Sequence, residues 1–174
     1  LKGAPTMTAT RRQAARAKRQ RVHMVTTYGL LDTLFAAPDA PMPIDKRTHQ
    51  LTRMYGGLRA LETDTAPAPD DWRVVSDAVN LMETLVKDMR LCEDPGGLLE
   101  DAVASLAIAG ARHLETGAPI RLDGPGIQAV RAVLASYAEV LETLSARAMT
   151  ECHRLTEIRI LQINAGHKQA HDVQ

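Results

Sequence analysis

A chain of 174 residues with 45% hydrophobic and only 3% aromatic residues is long enough for one domain, with a core built from Leu, Val, Ile, Met and Ala. Two cysteines are too few for a disulfide framework, and no apolar run reaches the roughly 18 residues of a membrane span. The net charge is zero, but residues 1–31 hold seven Lys/Arg and no acid, whereas 32–174 hold 14 Lys/Arg against 21 Asp/Glu; such asymmetry between ends points to a nucleic-acid or acidic-surface contact.

In chain order, residues 1–6 (LKGAPT) read as a cloning remnant ahead of Met7, and no apolar stretch follows that would make a signal peptide. Residues 7–21 form a basic N-terminal arm. Its core, RRQAARAKRQR, carries Arg11, Arg12, Arg16, Lys18, Arg19 and Arg21 and no acid. These six are the candidate nucleic-acid-binding residues. No aromatic precedes Tyr28, so base stacking is not available to the arm, and its grip would be on phosphates, salt-dependent and indifferent to sequence. Residues 22–165 are expected to be a single helical domain and 166–174 a flexible tail.

Proline clusters at 36–43, 63–71, 93–97 and 115–126 divide the chain, because proline breaks a helix interior. The proline-free segments predict helices at about 8–35, 45–62, 71–91, 97–115 and 125–164. In the second, Gly56 and Gly57 mark a break or a close approach by another backbone or a ligand. In the third, Asp70 or Asp71 can cap the start, and Trp72, Val75, Val79, Met82, Val86 and Met89 form one apolar stripe. The fourth is crowded with small residues, and Leu99, Val103, Leu106, Gly110 and Leu114 are expected to face the core, with His113 at their edge. Asp123 and Pro125 read as the cap and first turn of the fifth.

The fifth segment carries a heptad seam: Ile127, Leu134, Leu141, Ala148 and Leu155, with Val130, Tyr137, Leu144 and Ile158 three positions later and Glu151 as the one polar interruption. A continuous helix of that length would span roughly 60 Å, against a diameter of about 40 Å for a domain of this size. The sequence therefore predicts an all-α bundle of about five helices with an overlong C-terminal helix. It also predicts a homo-oligomer, most simply a dimer, through Ile127, Leu134, Tyr137, Leu141, Leu144, Leu155 and Ile158.

No phosphate loop, dinucleotide fingerprint, nucleophile elbow or HExxH motif is present. His153 and Glu157 stand one turn apart beside Cys152, and His167 and His171 repeat the spacing, but no CxxC accompanies them to complete a zinc set. The reading is a non-enzymatic protein with no catalytic residues, no metal and no cofactor. The block HQLTRMYGGLRALETDTAPAPDDWRVVSDAVNLMETLV (49–86), with the Arg/Ala/Gln-rich start before it, resembles small uncharacterised accessory proteins of temperate phages and prophages. That resemblance implies an accessory binding protein in the cytoplasm of a host bacterium. It is expected to be a nucleic-acid-associated regulator that uses its basic arm. The alternative is a counter-defence protein that binds a host defence protein or sequesters a signalling nucleotide, for which the acidic body offers a surface to a basic partner.

Overall fold

The structure, a computed structural model, describes residues 40–164. The first predicted helix and the basic arm lie outside these residues, as does the tail. Among the described residues the fold is an all-α bundle: α1 (Ile44–Thr63), α2 (Pro69–Glu83), α3 (Leu99–Thr116), α4 (Gly124–Thr143) and α5 (Ala146–Asn164). No helix among them is long and apolar enough to cross a membrane.

Helix α2 is the centre of the bundle, touching α1, α3, α4 and α5. Its apolar stripe does what its spacing requires: Val75, Val79 and Met82 are buried, joined by Ala78 and Leu81, while Trp72, Val86 and Met89 pack against the core from its edge. Ala68, not Asp70 or Asp71, is the N-cap. Pro69 takes the first helical position, and Asp71 reaches back to accept from the Ala68 N–H at 3.0 Å. Proline needs no donor there, and this carboxylate satisfies one that would be orphaned.

Glycine sets two of the close crossings. A Cβ on Gly57 would lie 2.7 Å from the Asp71 carbonyl oxygen, so α1 and α2 meet backbone to backbone. A Cβ on Gly110 would lie 2.7 Å from the Trp72 ring, which is held over it by its Nε1–H donating to the Leu106 carbonyl at 3.0 Å. The second helix is not interrupted at its glycine pair. In α3, Leu99, Leu106 and Gly110 are buried as expected, but Leu114 is exposed. Helix α3 ends at Thr116, with Gly117 as its C-cap in the left-handed region (φ 68°).

The single helix expected over 125–164 is two. Leu144 leaves the helical region (ψ 132°), and α5 restarts at Ala146. The Ser145 hydroxyl accepts from the Ala148 N–H at 3.1 Å, as an N-cap does. The strand-like segment before α1 pins the joint: the Ala146 N–H donates to the Ala40 carbonyl at 2.9 Å and the Met42 N–H to the Leu144 carbonyl at 3.4 Å. A new cap and an external partner for the freed carbonyl replace the ladder bonds lost at the break. The start of α4 matches expectation, with Asp123 Oδ1 accepting from the Gly126 N–H at 2.7 Å and Pro125 in the first turn.

Candidate functional site

A polar cluster lies between α2 and α5. The α2 ladder widens into a π turn over Thr84–Asp88, and side chains of α5 add donors to the Asn80 and Leu81 carbonyls just before it, which the Thr84 N–H also reaches. Arg159 Nη2 donates to the Asn80 carbonyl at 2.7 Å, and the Cys152 thiol faces the Leu81 carbonyl at 3.4 Å. Side-chain donors inserted into a ladder are a recognised cause of such widening. Beneath the turn, the hydroxyls of Thr84 and Thr156 meet at 2.6 Å. Arg159, its side chain only 8% exposed, lies 3.0 Å from both Glu83 Oε2 and Asp88 Oδ2. Lys87 also pairs with Glu83 at 3.1 Å. The turn closes with Arg90 in the left-handed region (φ 53°) and the Leu91 N–H donating to the Leu85 carbonyl at 2.9 Å, a Schellman-type ending.

The centre of this cluster is paired, with Lys87 and Asp88 at its rim, their side chains 32% and 36% exposed. Its arginine is committed to two carboxylates and a carbonyl, so it holds α5 to α2 and leaves no cation for an anionic ligand. Its cysteine is fully buried, and burial pushes the Cys152 thiol up to about 12 and also raises Cys92, the opposite of the lowered value that favours a reactive thiolate. His153, beside Cys152, is buried with neither ring nitrogen hydrogen-bonded, and burial pulls its pKa down to about 4. Glu157 is only half-buried. Among the described residues, no group of three His, Cys, Asp or Glu stands close enough to hold a metal ion. His113 is hydrogen-bonded, its Nδ1 2.7 Å from the Ala118 carbonyl, so it serves as a wall residue of the α3–α4 corner. His167 and His171 lie outside the described residues.

The predicted oligomerisation seam is folded inward. Leu134, Tyr137, Leu141 and Leu144 are buried in the protomer's own core, and Ile127 packs against it. Leu155 is half-buried and Ile158 exposed. Once the helix breaks, α4 folds its apolar row against α1, α2 and α3, so Leu134 through Leu144 offer no surface to a second copy.

The solvent side of α1 has a different character. Glu62 is taken up by Arg131 of α4, with Oε1 2.7 Å from Nη2. Among the described residues, Arg53 and Arg59 have no acidic partner. They flank Gly56, whose Cβ position has nothing within 4 Å. Tyr55 beside it is 44% exposed. Gly57 is explained by packing, whereas Gly56 is not. Helix α1 carries Lys46, Arg47, Arg53 and Arg59 against Asp45 and Glu62, the reverse of the acidic balance of the other helices together. The sequence reading passed over Arg53 and Arg59, although the symmetry of RMYGGLR, an arginine three residues to either side of the glycine, was there to be seen. The six arm residues, Arg11 to Arg21, lie outside the described residues. The chain from them enters the body at the α4–α5 joint through Ala40, and α1 follows at once.

No protein-family model matches the chain, and neither a curated protein nor a solved structure matches it.

Proposed function

We propose that this protein is a non-enzymatic, nucleic-acid-associated binding protein whose contact surface joins the basic arm, Arg11 to Arg21, to the outward face of α1. The observation that supports this reading is the pair of unpartnered arginines, Arg53 and Arg59, astride the bare Gly56. Missing side-chain bulk lets a polyanion backbone come close, and guanidinium groups on either side are suited to phosphate oxygens. With Arg11, Arg12, Arg16, Lys18, Arg19 and Arg21 preceding it in the chain, the surface is electrostatic and carries no element suited to reading base edges, so binding is expected to be sequence-indifferent. The resemblance of residues 49–86 to phage accessory proteins is in keeping with this role in a bacterial host.

Fluorescence anisotropy with labelled double-stranded DNA tests it. If about four phosphates are engaged, affinity falls by roughly two orders of magnitude from 50 to 200 mM salt. Replacing Arg53 and Arg59 together by Ala should flatten the salt slope by about two, and replacing Arg11, Arg12, Arg16 and Arg19 should abolish binding with the fold intact. A wild-type protein that binds no DNA at 50 mM salt sinks the reading and moves the counter-defence alternative ahead, in which the acidic remainder of the body meets a basic host protein.

A further inference from the structure

In its middle, from Ala102 to Ala111, helix α3 carries no charge on either side. Its inner face is closed by Trp72 over Gly110. Its outer face presents Ile108, 64% exposed, and Leu114, 74% exposed, on a floor of Ala104, Ala107 and Ala111. A surface helix ordinarily turns charged and polar residues to water, and a helix apolar all round is a buried helix. Among the described residues, nothing covers this outer face of α3.

The charges at the margin of this face say what the cover is. Asp101 and Arg112 are eleven residues apart, which is about three turns, so both stand on the same edge of the helix, beside Ile108. Neither has an oppositely charged partner; the Arg112 guanidinium donates only to the Arg121 carbonyl. In a parallel pair of identical helices opposite edges meet, whereas in an antiparallel pair each edge meets its own copy with the ends exchanged. Opposite charges on one edge, at opposite ends, are thus self-complementary only in the antiparallel arrangement. Marginal charges of this kind set orientation in paired helices. The macrodipoles also oppose favourably when the helices run antiparallel. Glu115 lies at the Arg112 end and Glu100 at the Asp101 end, so the complementarity is that of the Asp101–Arg112 pair and not of whole helix ends.

We infer that α3 is a homodimer surface: two copies pair antiparallel across a two-fold axis near Ala107 and Ile108, with Arg112 of each reaching Asp101 of the other. Such an isologous contact closes on itself and leaves no face to propagate. It does not rest on the nucleic-acid reading.

Sedimentation equilibrium of the full chain should give twice 19.0 kDa. Ile108→Glu, at an exposed position, should give a monomer with an unchanged thermal melt. Arg112→Asp should weaken the dimer at least tenfold, and Asp101→Arg combined with Arg112→Asp should restore it, since both variants lose the Arg121 contact and only the second regains the pair. Mixing Ala104→Cys with Ala111→Cys protein under mild oxidant should give the mixed cross-link in preference to either self-link. A wild-type monomer at the highest soluble concentration overturns the inference. So does a dimer that survives Ile108→Glu, including one lost instead on Ile158→Glu, and so do self-links that outnumber the mixed product.

Discussion

Helices α4 and α5 continue one heptad across their joint, yet the core takes different positions from each. In α4 the seam residues Val130, Leu134, Tyr137 and Leu141 are fully buried. In α5 the same count leads to Ala148, Glu151, Leu155 and Ile158, none of which is buried. The buried row is Met149, Cys152, Thr156 and Arg159, with the same spacing of three, four and three but set one residue later. The cause is the pair of non-helical residues, Leu144 and Ser145, between the two helices. A helix turns by about 100° per residue, so residues taken out of helical geometry change the phase of everything after them. The consequence is chemical as well as geometric. The α4 row is hydrocarbon and a tyrosine, while the α5 row brings a thiol, a hydroxyl and a guanidinium into the bundle. Those groups lie against the end of α2 and its π turn.

The sharpest way to break this comparison is to shorten one seam residue on each side of the joint. Leu141→Ala should cost about 2–5 kcal/mol, the lost burial plus the cavity left behind. Ile158→Ala, in the same apolar seam but facing water, should change stability by less than about 0.5 kcal/mol. Urea denaturation of the two variants reads the difference directly. Equal losses would mean that one continuous seam runs through both helices and that the break at Leu144 does not exist in solution.

What the sequence disclosed follows the same division. Proline clusters and stripe spacing located both ends of α1 and α3 and the starts of α2 and α4 within a few residues, because those signals are local. The cap at Asp123 and the wall role of His113 were legible for the same reason. The break was not, because Leu144 preserves the apolar pattern and only Ser145, an ordinary cap residue, announces it. Arg159, Glu83 and Asp88 could not be joined from sequence, since their pairing spans more than 70 residues and depends on the shifted phase. The outer face of α3 was misjudged at Leu114 because its apolar spacing fits a core stripe. Spacing shows that a face is apolar but not which neighbour covers it.

A second test uses the polar row of α5. His153 is buried without a hydrogen-bond partner, and its pKa falls from the ordinary 6.5 to about 4. A depressed folded-state pKa means that the unfolded chain binds the proton more readily. The contribution of His153 to stability is therefore intact above pH 6.5 and declines as pH falls toward 4. At about 1.36 kcal/mol per pH unit, the loss over that window is about 3 kcal/mol. Urea titrations at several pH values should show this slope in the wild type and its absence in His153→Leu, which keeps the volume and removes the proton site. A wild type with flat stability between pH 6.5 and 4, or a variant with the same slope, would show that water or a proton partner reaches the ring.

The smallest expected effect sharpens the contrast between two adjacent glycines on α1. A Cβ at Gly57 meets the Asp71 carbonyl at 2.7 Å and the Val75 methyl at 3.2 Å; the first is backbone and cannot turn aside. Gly57→Ala should therefore lower the melting temperature by forcing α1 from α2, an overpacking cost that exceeds any gain in helix propensity. A Cβ at Gly56 meets nothing within 4 Å, so Gly56→Ala removes only the conformational freedom that glycine has in the unfolded chain. It should stabilise by about 0.4–1 kcal/mol, a rise in melting temperature of roughly 2 °C at this chain length. The same variant places a methyl group between Arg53 and Arg59. If the glycine is retained for close approach by a polyanion, Gly56→Ala should melt higher and bind DNA more weakly, a pairing of effects that a glycine without a contact would not produce.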